Sequence, residues 1–185
     1  ILGQMLDRSR NFETIEDPVE YFVEEANQVY IREKDGLSFP SVLRATLRQD
    51  PDVILVGEVR DSETADIAFK TALTGHMVLT SLHTNNAIAS ITRLIDLGVK
   101  PYLISSALEG VVAQRLARKL CPHCRYQDEV DPIIGKLLRI PDDMFKAGSW
   151  KAKGCSRCDS TGYAGRVGIF ELFIMNDDCR HLISD

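Results

Sequence analysis

The chain contains one uninterrupted apolar stretch that decides its fold class, Val53-Ile54-Leu55-Val56, followed at once by Gly57 and Glu58. Four consecutive aliphatic residues without alternation predict a strand that is buried on both faces. Strands of this kind occur in parallel sheets that helices cover on either side. The stretch therefore predicts an α/β fold with a mainly parallel sheet.

The segments around this stretch alternate between strand and helix character, as expected for such a fold. Strands are predicted at 12–15, 29–31 and 77–79. Helices are predicted after Ser38, over 62–74, and from 101 to about 120, the last region with no clear strand. A further helix is predicted after Asn85 or Asn86, with Ile88, Ile91, Leu94 and Ile95 on one face. Glycines and prolines separate these segments.

Length and composition exclude several classes of protein. The chain has 185 residues, 44% of them hydrophobic, and a formal net charge of −5. This balance predicts a folded domain and argues against a general nucleic-acid coat, which needs clustered cations. No apolar run approaches the roughly 20 residues that span a bilayer. We expect a cytoplasmic or membrane-peripheral protein and, because it opens on Ile1, a piece of something longer.

Four of the five cysteines form two C-x-x-C pairs, Cys121 with Cys124 and Cys155 with Cys158, separated by 30 residues. Two such pairs complete a tetrahedral thiolate site that is typical of structural Zn²⁺. A disulfide is disfavoured in a cytosolic chain. His123 lies inside the first pair and is an alternative ligand. Zinc here is predicted to be structural, because four thiolates leave no open position for water.

Polar side chains follow three of the predicted strands. They are Glu16 and Asp17 after the first, Glu58 and Arg60 after the central one, and Ser81 and His83 after the last. Because the carboxyl ends of parallel strands meet at one sheet edge, we expect these groups to lie close together. Such a set can hold a divalent cation through its water shell, activate a water molecule and contact a terminal phosphate.

Several of these residues have a structural alternative. Residues 61–62 can cap the next helix, and Asp17 before a proline can shape a turn. His76, which follows a glycine helix stop, can hydrogen-bond the last helix carbonyls instead of joining a site. Glu16 and Glu58 are harder to explain in this way, since a carboxylate at the end of a buried strand needs a partner.

One component of a phosphate-binding site is missing from the sequence. No G-x-x-x-x-G-K-[ST] loop occurs: the single Gly135-Lys136 pair has Val130 where the first glycine is needed and Leu137 in place of a hydroxyl residue. A phosphate-handling site built from this chain alone is therefore expected to be incomplete.

Four ordered motifs resemble those of one known family. They are TIEDPVEY at 14–21, LRATLRQDPD at 43–52, GEVRD at 57–61, and the histidine-containing segment 74–85. Together they are similar to the ATPases of type II secretion and type IV pilus assembly. The cysteine pairs and the GYAGRVGI segment at 162–169 resemble the branch with general secretion pathway protein E and pilus-assembly protein B.

The resemblance implies a partial RecA-like P-loop NTPase core with a mainly parallel sheet, plus a small tetracysteine zinc-binding subdomain. The implied domains are an ATPase core at 1–120, the zinc subdomain at 121–165, and a return to the core at 166–185. The family's phosphate loop would lie upstream of Ile1.

Three residues take catalytic roles by resemblance. Glu16 falls in the family's Asp box and is expected to orient or deprotonate the attacking water. Glu58 matches the Walker B glutamate, which is expected to hold Mg²⁺ through water. His83 falls in the His box and is expected to hydrogen-bond the γ-phosphate.

Three further residues are assigned to nucleotide binding by resemblance. Asp17 shares the Asp box, His76 shares the His box, and Arg60 is expected to link the Walker B turn to its neighbours. Gly57 stands where many other ATPases have aspartate, so the metal shell is expected to be atypical.

The function implied by the resemblance is ATP hydrolysis in a homohexamer that pushes an inner-membrane platform protein and contacts cytoplasmic domains of the secretion or pilus machine. No nucleic-acid partner is expected. Alternatives are a DNA-uptake or conjugation motor of the same superfamily, or a zinc-stabilised docking module. The 185-residue chain alone is expected to be inactive.

The sequence also contains a basic stretch, formed by Arg115, Arg118, Lys119 and Arg125. This stretch is either solvated or contacts an acidic partner or lipid head groups.

Overall fold

A computed structural model describes residues 2–184, apart from the side chain at position 142. Helices and strands alternate along the first half of the chain. In chain order the elements are α1 Leu2–Met5, β1 Phe12–Glu16, β2 Asn27–Tyr30, α2 Phe39–Thr46, β3 Val53–Val56, α3 Ser62–Leu73, β4 Met77–Thr80, α4 Ala89–Asp96, α5 Pro101–Ala107, β5 Gly110–Leu120, β6 Tyr126–Asp128, α6 Pro132–Leu137, α7 Asp142–Ala147, β7 Ser149–Lys151, β8 Tyr163–Ile174 and α8 Asp177–Ser184. Among the described helices, none combines the length and apolar character needed to cross a membrane.

The central sheet has four strands in the order β2-β1-β3-β4, and every neighbouring pair is parallel. Ile15 of β1 lies level with Val56 of β3, which lies level with Thr80 of β4. Val53, Ile54 and Val56 are buried. The predicted parallel sheet, with 53–56 as a buried strand inside it, is confirmed.

Helices α2 and α3 begin where their capping residues predict. Ser38 and Ser41 exchange side-chain and backbone hydrogen bonds in a capping box, and Phe39 and Leu43 of the same helix enter the core. Asp61 caps α3 by accepting hydrogen bonds from both the backbone N–H and the hydroxyl of Thr64. The capping alternative for residues 61–62 is therefore realised by Asp61.

The predicted apolar face of α4 is only partly correct. Asn86 accepts a hydrogen bond from Ala89 N at 2.7 Å, as a helix-starting residue should. The buried stripe runs through Ser90 and Leu94, which are four residues apart. Ile95 lies about 100° around the helix from Leu94 and is about half exposed, as is Ile88.

The prediction of a helix from 101 to about 120 without a strand is wrong. Helix α5 ends at Ala107, and Gly110–Leu120 forms strand β5, which pairs with β8. The β5 segment is rich in Ala, Arg, Lys and Leu, which favour helix when isolated. Its partner strand lies some forty residues later, so no local pattern indicates the pairing, and tertiary context overrides propensity.

The chain forms two compact units. One contains the chain up to Ala113 and from Glu171 onward, and includes the four-stranded sheet; the other is Gln114–Phe170, with the antiparallel pair β6 and β7 and the C-x-x-C pairs. The predicted division into domains 1–120, 121–165 and 166–185 stays a prediction.

Strand β1 carries a buried carboxyl group, that of Glu13, which is not one of the predicted site residues. Glu13 is only 5% exposed and shares the sheet face of Ile15. Asn27 donates a hydrogen bond to Glu13 Oε1 at 3.0 Å. Burial raises the pKa of Glu13, and the Asn27 hydrogen bond opposes this shift. The ionised form of Glu13 is therefore disfavoured in the folded state.

We expect Glu13→Gln to increase the free energy of unfolding at pH 7, because the glutamine amide does not ionise and so buries no charge. Its oxygen can still accept a hydrogen bond from Asn27. Since folding raises the pKa of Glu13, its carboxyl group contributes full stability below the unfolded-state pKa. This contribution is lost as pH rises through the folded-state pKa. The advantage of the variant should thus shrink towards about pH 4. Urea unfolding at several pH values measures it.

The exposed Glu24→Gln is the matched control, with a change within about 0.5 kcal/mol throughout. A Glu13→Gln variant that is less stable than wild type at pH 7 would contradict the expectation.

Candidate functional site

The carboxyl ends of β1, β3 and β4 are joined by hydrogen bonds just beyond the strands. Gly57 N donates to Ile15 O at 2.8 Å, Ser81 Oγ donates to Gly57 O at 2.6 Å, and Val59 N donates to Ser81 O at 3.2 Å. These bonds hold the residues that follow the three strands at one edge of the sheet.

Gly57 allows β1 and the turn after β3 to approach closely. A Cβ atom at this position would lie 3.2 Å from Ile15 O and 3.4 Å from Glu16 Cα. Since Ile15 O is already held by the Gly57 N–H, it has little room to retreat. The lack of a side chain at Gly57 thus places the backbone that carries Glu16 against the turn that carries Glu58.

The Glu58 carboxylate lies between two cationic or ionisable groups. Its Oε1 is 2.5 Å from Arg60 Nη2, and its Oε2 is 3.2 Å from His83 Nε2. The Glu58 side chain is only 12% exposed, whereas Arg60 is 63% and His83 86% exposed. Each carboxylate oxygen keeps a further lone pair, so Glu58 can still accept a hydrogen bond from a metal-bound water.

The hydrogen bond that Arg60 donates to Glu58 raises the pKa of Arg60, and the charges of Glu58 and Asp17 add to this effect. Asp17 is exposed, and its peptide bond to Pro18 is cis. Arg60 thus pairs with Glu58 and is also under the electrostatic influence of Asp17. Its linking role, and nucleotide binding by Asp17 and Arg60, stay predictions.

The Glu16 carboxylate is held by two residues that the sequence did not single out. Its Oε1 accepts hydrogen bonds from Thr14 Oγ1 at 2.6 Å and from Gln28 Nε2 at 3.0 Å. Thr14 could have been found, because residues two apart in a strand share a face. Gln28 gives no local signal, since only the pairing of β1 with β2 brings it beside Glu16.

Among the residues predicted for the nucleotide site, His76 is the one that the structure does not bring to this edge. It precedes β4, at the amino end of that strand, where its Nδ1 lies 3.1 Å from Thr71 O and 3.1 Å from Thr74 Oγ1. This matches the structural alternative of bonding the last carbonyls of α3. The structure therefore gathers Glu16, Glu58 and His83 with their neighbours at the carboxyl edge.

The four predicted cysteine ligands converge within the second unit. All four sulfur atoms lie within 4.8 Å of one another. The separations are 4.0 Å for Cys121 with Cys155, 3.8 Å for Cys124 with Cys158 and 3.7 Å for Cys155 with Cys158. Four sulfurs at about 2.3 Å from a tetrahedral Zn²⁺ ion are about 3.8 Å apart, so the cluster fits a metal ion. His123 is not part of this cluster among the described residues.

Backbone N–H groups prepare one of these sulfurs for ionisation. Burial works against ionisation of Cys158, but Cys155 N and Gly162 N donate to its Sγ at 3.3 and 3.2 Å and lower its pKa overall. Gly162 has φ 76° and a Cβ there would meet Ala152 Cβ at 2.6 Å, so only glycine fits. Burial raises the pKa of Cys124.

Two members of the predicted basic stretch stack on aromatic rings of the same unit. The Arg118 guanidinium lies 3.9 Å from the ring centroid of Tyr163, and that of Arg125 lies 4.5 Å from that of Trp150. Such cation–π contacts fix the side chains without neutralising their charge. The contact with an acidic partner stays a prediction.

Comparison with known proteins shows the family of this chain. A family model described as "Type II/IV secretion system protein" matches residues 1–185, and the chain belongs to this family. The Type IV pilus assembly ATPase PilB of Thermus thermophilus is 48% identical over 184 residues, which are 99% of this chain and 21% of that protein. Type II secretion system protein E of Pseudomonas aeruginosa is 49% identical over 182 residues, 98% of this chain and 36% of that protein.

Solved structures agree on the fold. A crystal structure of the pilus retraction motor PilT with bound ADP aligns with a TM-score of 0.65 and 34% identity, covering 95% of this chain and 41% of that one. The X-ray structure of the Legionella pneumophila ATPase DotB aligns with a TM-score of 0.62 and 23% identity, covering 94% of this chain and 39% of the DotB chain. At this low identity the likeness shows the fold alone. The predicted partial RecA-like core is confirmed. The chain spans only about a fifth to a third of the length of the curated relatives quoted above.

We expect Gly57→Ala to destabilise the first unit by about 1–2 kcal/mol, because the new methyl group crowds a backbone carbonyl that is already hydrogen-bonded. Urea unfolding measures the change. Gly3→Ala is the control, since a Cβ at Gly3 would meet nothing within 4 Å and alanine favours the helix. Equal stability of Gly57→Ala and wild type would show that the sheet edge is not tightly packed at this point.

Proposed function

We propose that this chain is part of a motor ATPase whose full-length form hydrolyses ATP in a homohexamer to drive type II protein secretion or type IV pilus assembly. The observation that carries the proposal is the Glu58–His83 contact at 3.2 Å on the same sheet edge as Glu16. The family and its curated relatives support the class of motor.

The proposed chemistry divides among three side chains. Glu16 presents a carboxylate that orients the attacking water and takes its proton, as a general base. Glu58 holds the water shell of Mg²⁺, which neutralises charge on the phosphates of ATP when it is bound. His83 is exposed beyond Glu58 and reaches outward to donate a hydrogen bond to the γ-phosphate.

The nucleotide site also needs residues outside this chain. We propose that a phosphate loop elsewhere in the full-length protein cradles the ATP phosphates, because no such loop occurs among these 185 residues. Asp17 and Arg60 then border the nucleotide on the sheet side. His76 at the far end of β4 contributes only if it leaves Thr71.

The proposed partners are those of a membrane-associated machine. The hexamer works in the cytoplasm at the inner membrane, against the platform protein and the cytoplasmic domains of the secretion or pilus assembly. Nucleic acid is not a proposed partner. The stacked Arg118 and Arg125 are the candidates for an acidic contact on the second unit.

We propose Zn²⁺ as the ion of the cysteine cluster, with a structural role. Its support is the sulfur spacing and an all-thiolate donor set, which Zn²⁺ prefers. The 30 residues between the two cysteine pairs form two short strands and two short helices, so metal–sulfur bonds supply stability that a small apolar core cannot.

In the full-length protein, Glu16→Gln should lower kcat for ATP hydrolysis about 100-fold or more and change nucleotide affinity less than about 3-fold, because it removes the base and keeps the shape. Steady-state hydrolysis with a nucleotide-binding titration measures both. Glu24→Gln, an exposed glutamate of the same unit, is the control and should match wild type. Undiminished turnover in Glu16→Gln would refute the assigned role.

The 185-residue chain alone should hydrolyse no ATP, because it contains no phosphate loop.

The purified protein should contain stoichiometric Zn²⁺, and replacing Cys121 and Cys155 together by serine should release it. The segment 121–158 should then become sensitive to protease, while the four-stranded sheet stays folded by circular dichroism, because it has its own core. Metal analysis and limited proteolysis test this, with Cys179→Ser as the control thiol outside the cluster. Wild-type protein without zinc defeats the assignment.

A further inference from the structure

Gln28 uses its whole side-chain amide to connect Glu16 with the segment that follows it. Its Nε2 donates to Glu16 Oε1 and to Tyr21 O, both at 3.0 Å. Its Oε1 accepts a hydrogen bond from Val23 N at 2.7 Å. The side chain is half-buried, and strand β2 places it level with Thr14 of β1. One amide thus fixes a carboxylate and two backbone groups of the loop between β1 and β2.

The hydrogen bonds to Glu16 are asymmetric. Thr14 and Gln28 both donate to Oε1, whereas Oε2 accepts no hydrogen bond from the part of the chain that the structure describes. Thr14 is fully buried and β-branched, so its hydroxyl is held firmly. The two donors therefore set the rotation of the carboxylate and leave Oε2 available to a water molecule.

We propose that Gln28 is a positioning residue for the reaction, acting through Glu16 and tying its carboxylate to the loop at residues 17–26. The inference rests on the proposed function, since it concerns the same carboxylate. A general base accelerates proton transfer only within hydrogen-bond reach and in the correct orientation. Without the Gln28 amide, Glu16 keeps a single side-chain donor and rotates among several orientations, and the loop loses two of its attachments.

The test compares full-length wild type with Gln28→Met, which keeps a side chain of similar length and removes both the donor and the acceptor. We expect kcat for ATP hydrolysis to fall about 10- to 100-fold, with KM changed less than about 3-fold, because orientation is lost rather than binding. Gln49→Met is the matched control: an exposed glutamine of the same unit, outside the site, which should behave as wild type.

A second measurement separates positioning from a merely structural role. If Gln28 acts through Glu16, then Gln28→Met should lower kcat no further in a protein that already carries Glu16→Gln, since interacting residues are not additive. Thermal unfolding of each variant verifies that it is folded at the assay temperature.

The possible outcomes separate the role of Gln28 from the proposed ATPase function. Unchanged kcat in Gln28→Met, a rise in KM with constant kcat, or full additivity with Glu16→Gln each overturns the role of Gln28 while ATP hydrolysis stands. A full-length wild type that hydrolyses no ATP overturns the proposed function and this inference with it.

Discussion

The backbone contact between Gly57 and the end of β1 is the constraint on which the candidate site depends. It combines a 2.8 Å hydrogen bond from Gly57 N to Ile15 O with a close approach, in which a Cβ atom at Gly57 would crowd Ile15 O at 3.2 Å. Because β1 and β3 are parallel, this single contact sets the height at which both Glu16 and Glu58 leave the sheet. Ser81 extends the same arrangement to β4 and so brings His83 within reach.

The two units are stabilised by different means. The first buries a continuous apolar core between its sheet and helices, with Ile15, Ile54 and Val56 on one sheet face. The second contains most of the β5–β8 pair together with two short strands and short helices, and its best-defined centre is the cysteine cluster. Backbone N–H groups at Cys155 and Gly162 point at one sulfur, a pattern suited to a thiolate. A metal ion at this cluster would act as the core that so small a segment lacks.

Much of the fold and of the site could be predicted, and the failures have a common cause. The strands of the parallel sheet, the caps at Ser38 and Asp61 and the cysteine spacing depend on residues close together in the sequence. The strand at Gly110–Leu120 was missed because its partner is distant and its own residues favour helix. Gln28 was missed for the same reason: it meets Glu16 only across a strand pair.

The sequence by itself determined the α/β class, the positions of the acidic and histidine residues after the strands, and two cysteine pairs able to meet. Periodicity, capping and short spacings are properties of contiguous residues, and these suffice for such features. Only the tertiary structure decided which groups touch: that Glu58 lies between Arg60 and His83, that Thr14 and Gln28 hold one oxygen of Glu16, and that His76 bonds the end of a helix. Those contacts depend on strand order and register, which arise from packing between distant segments.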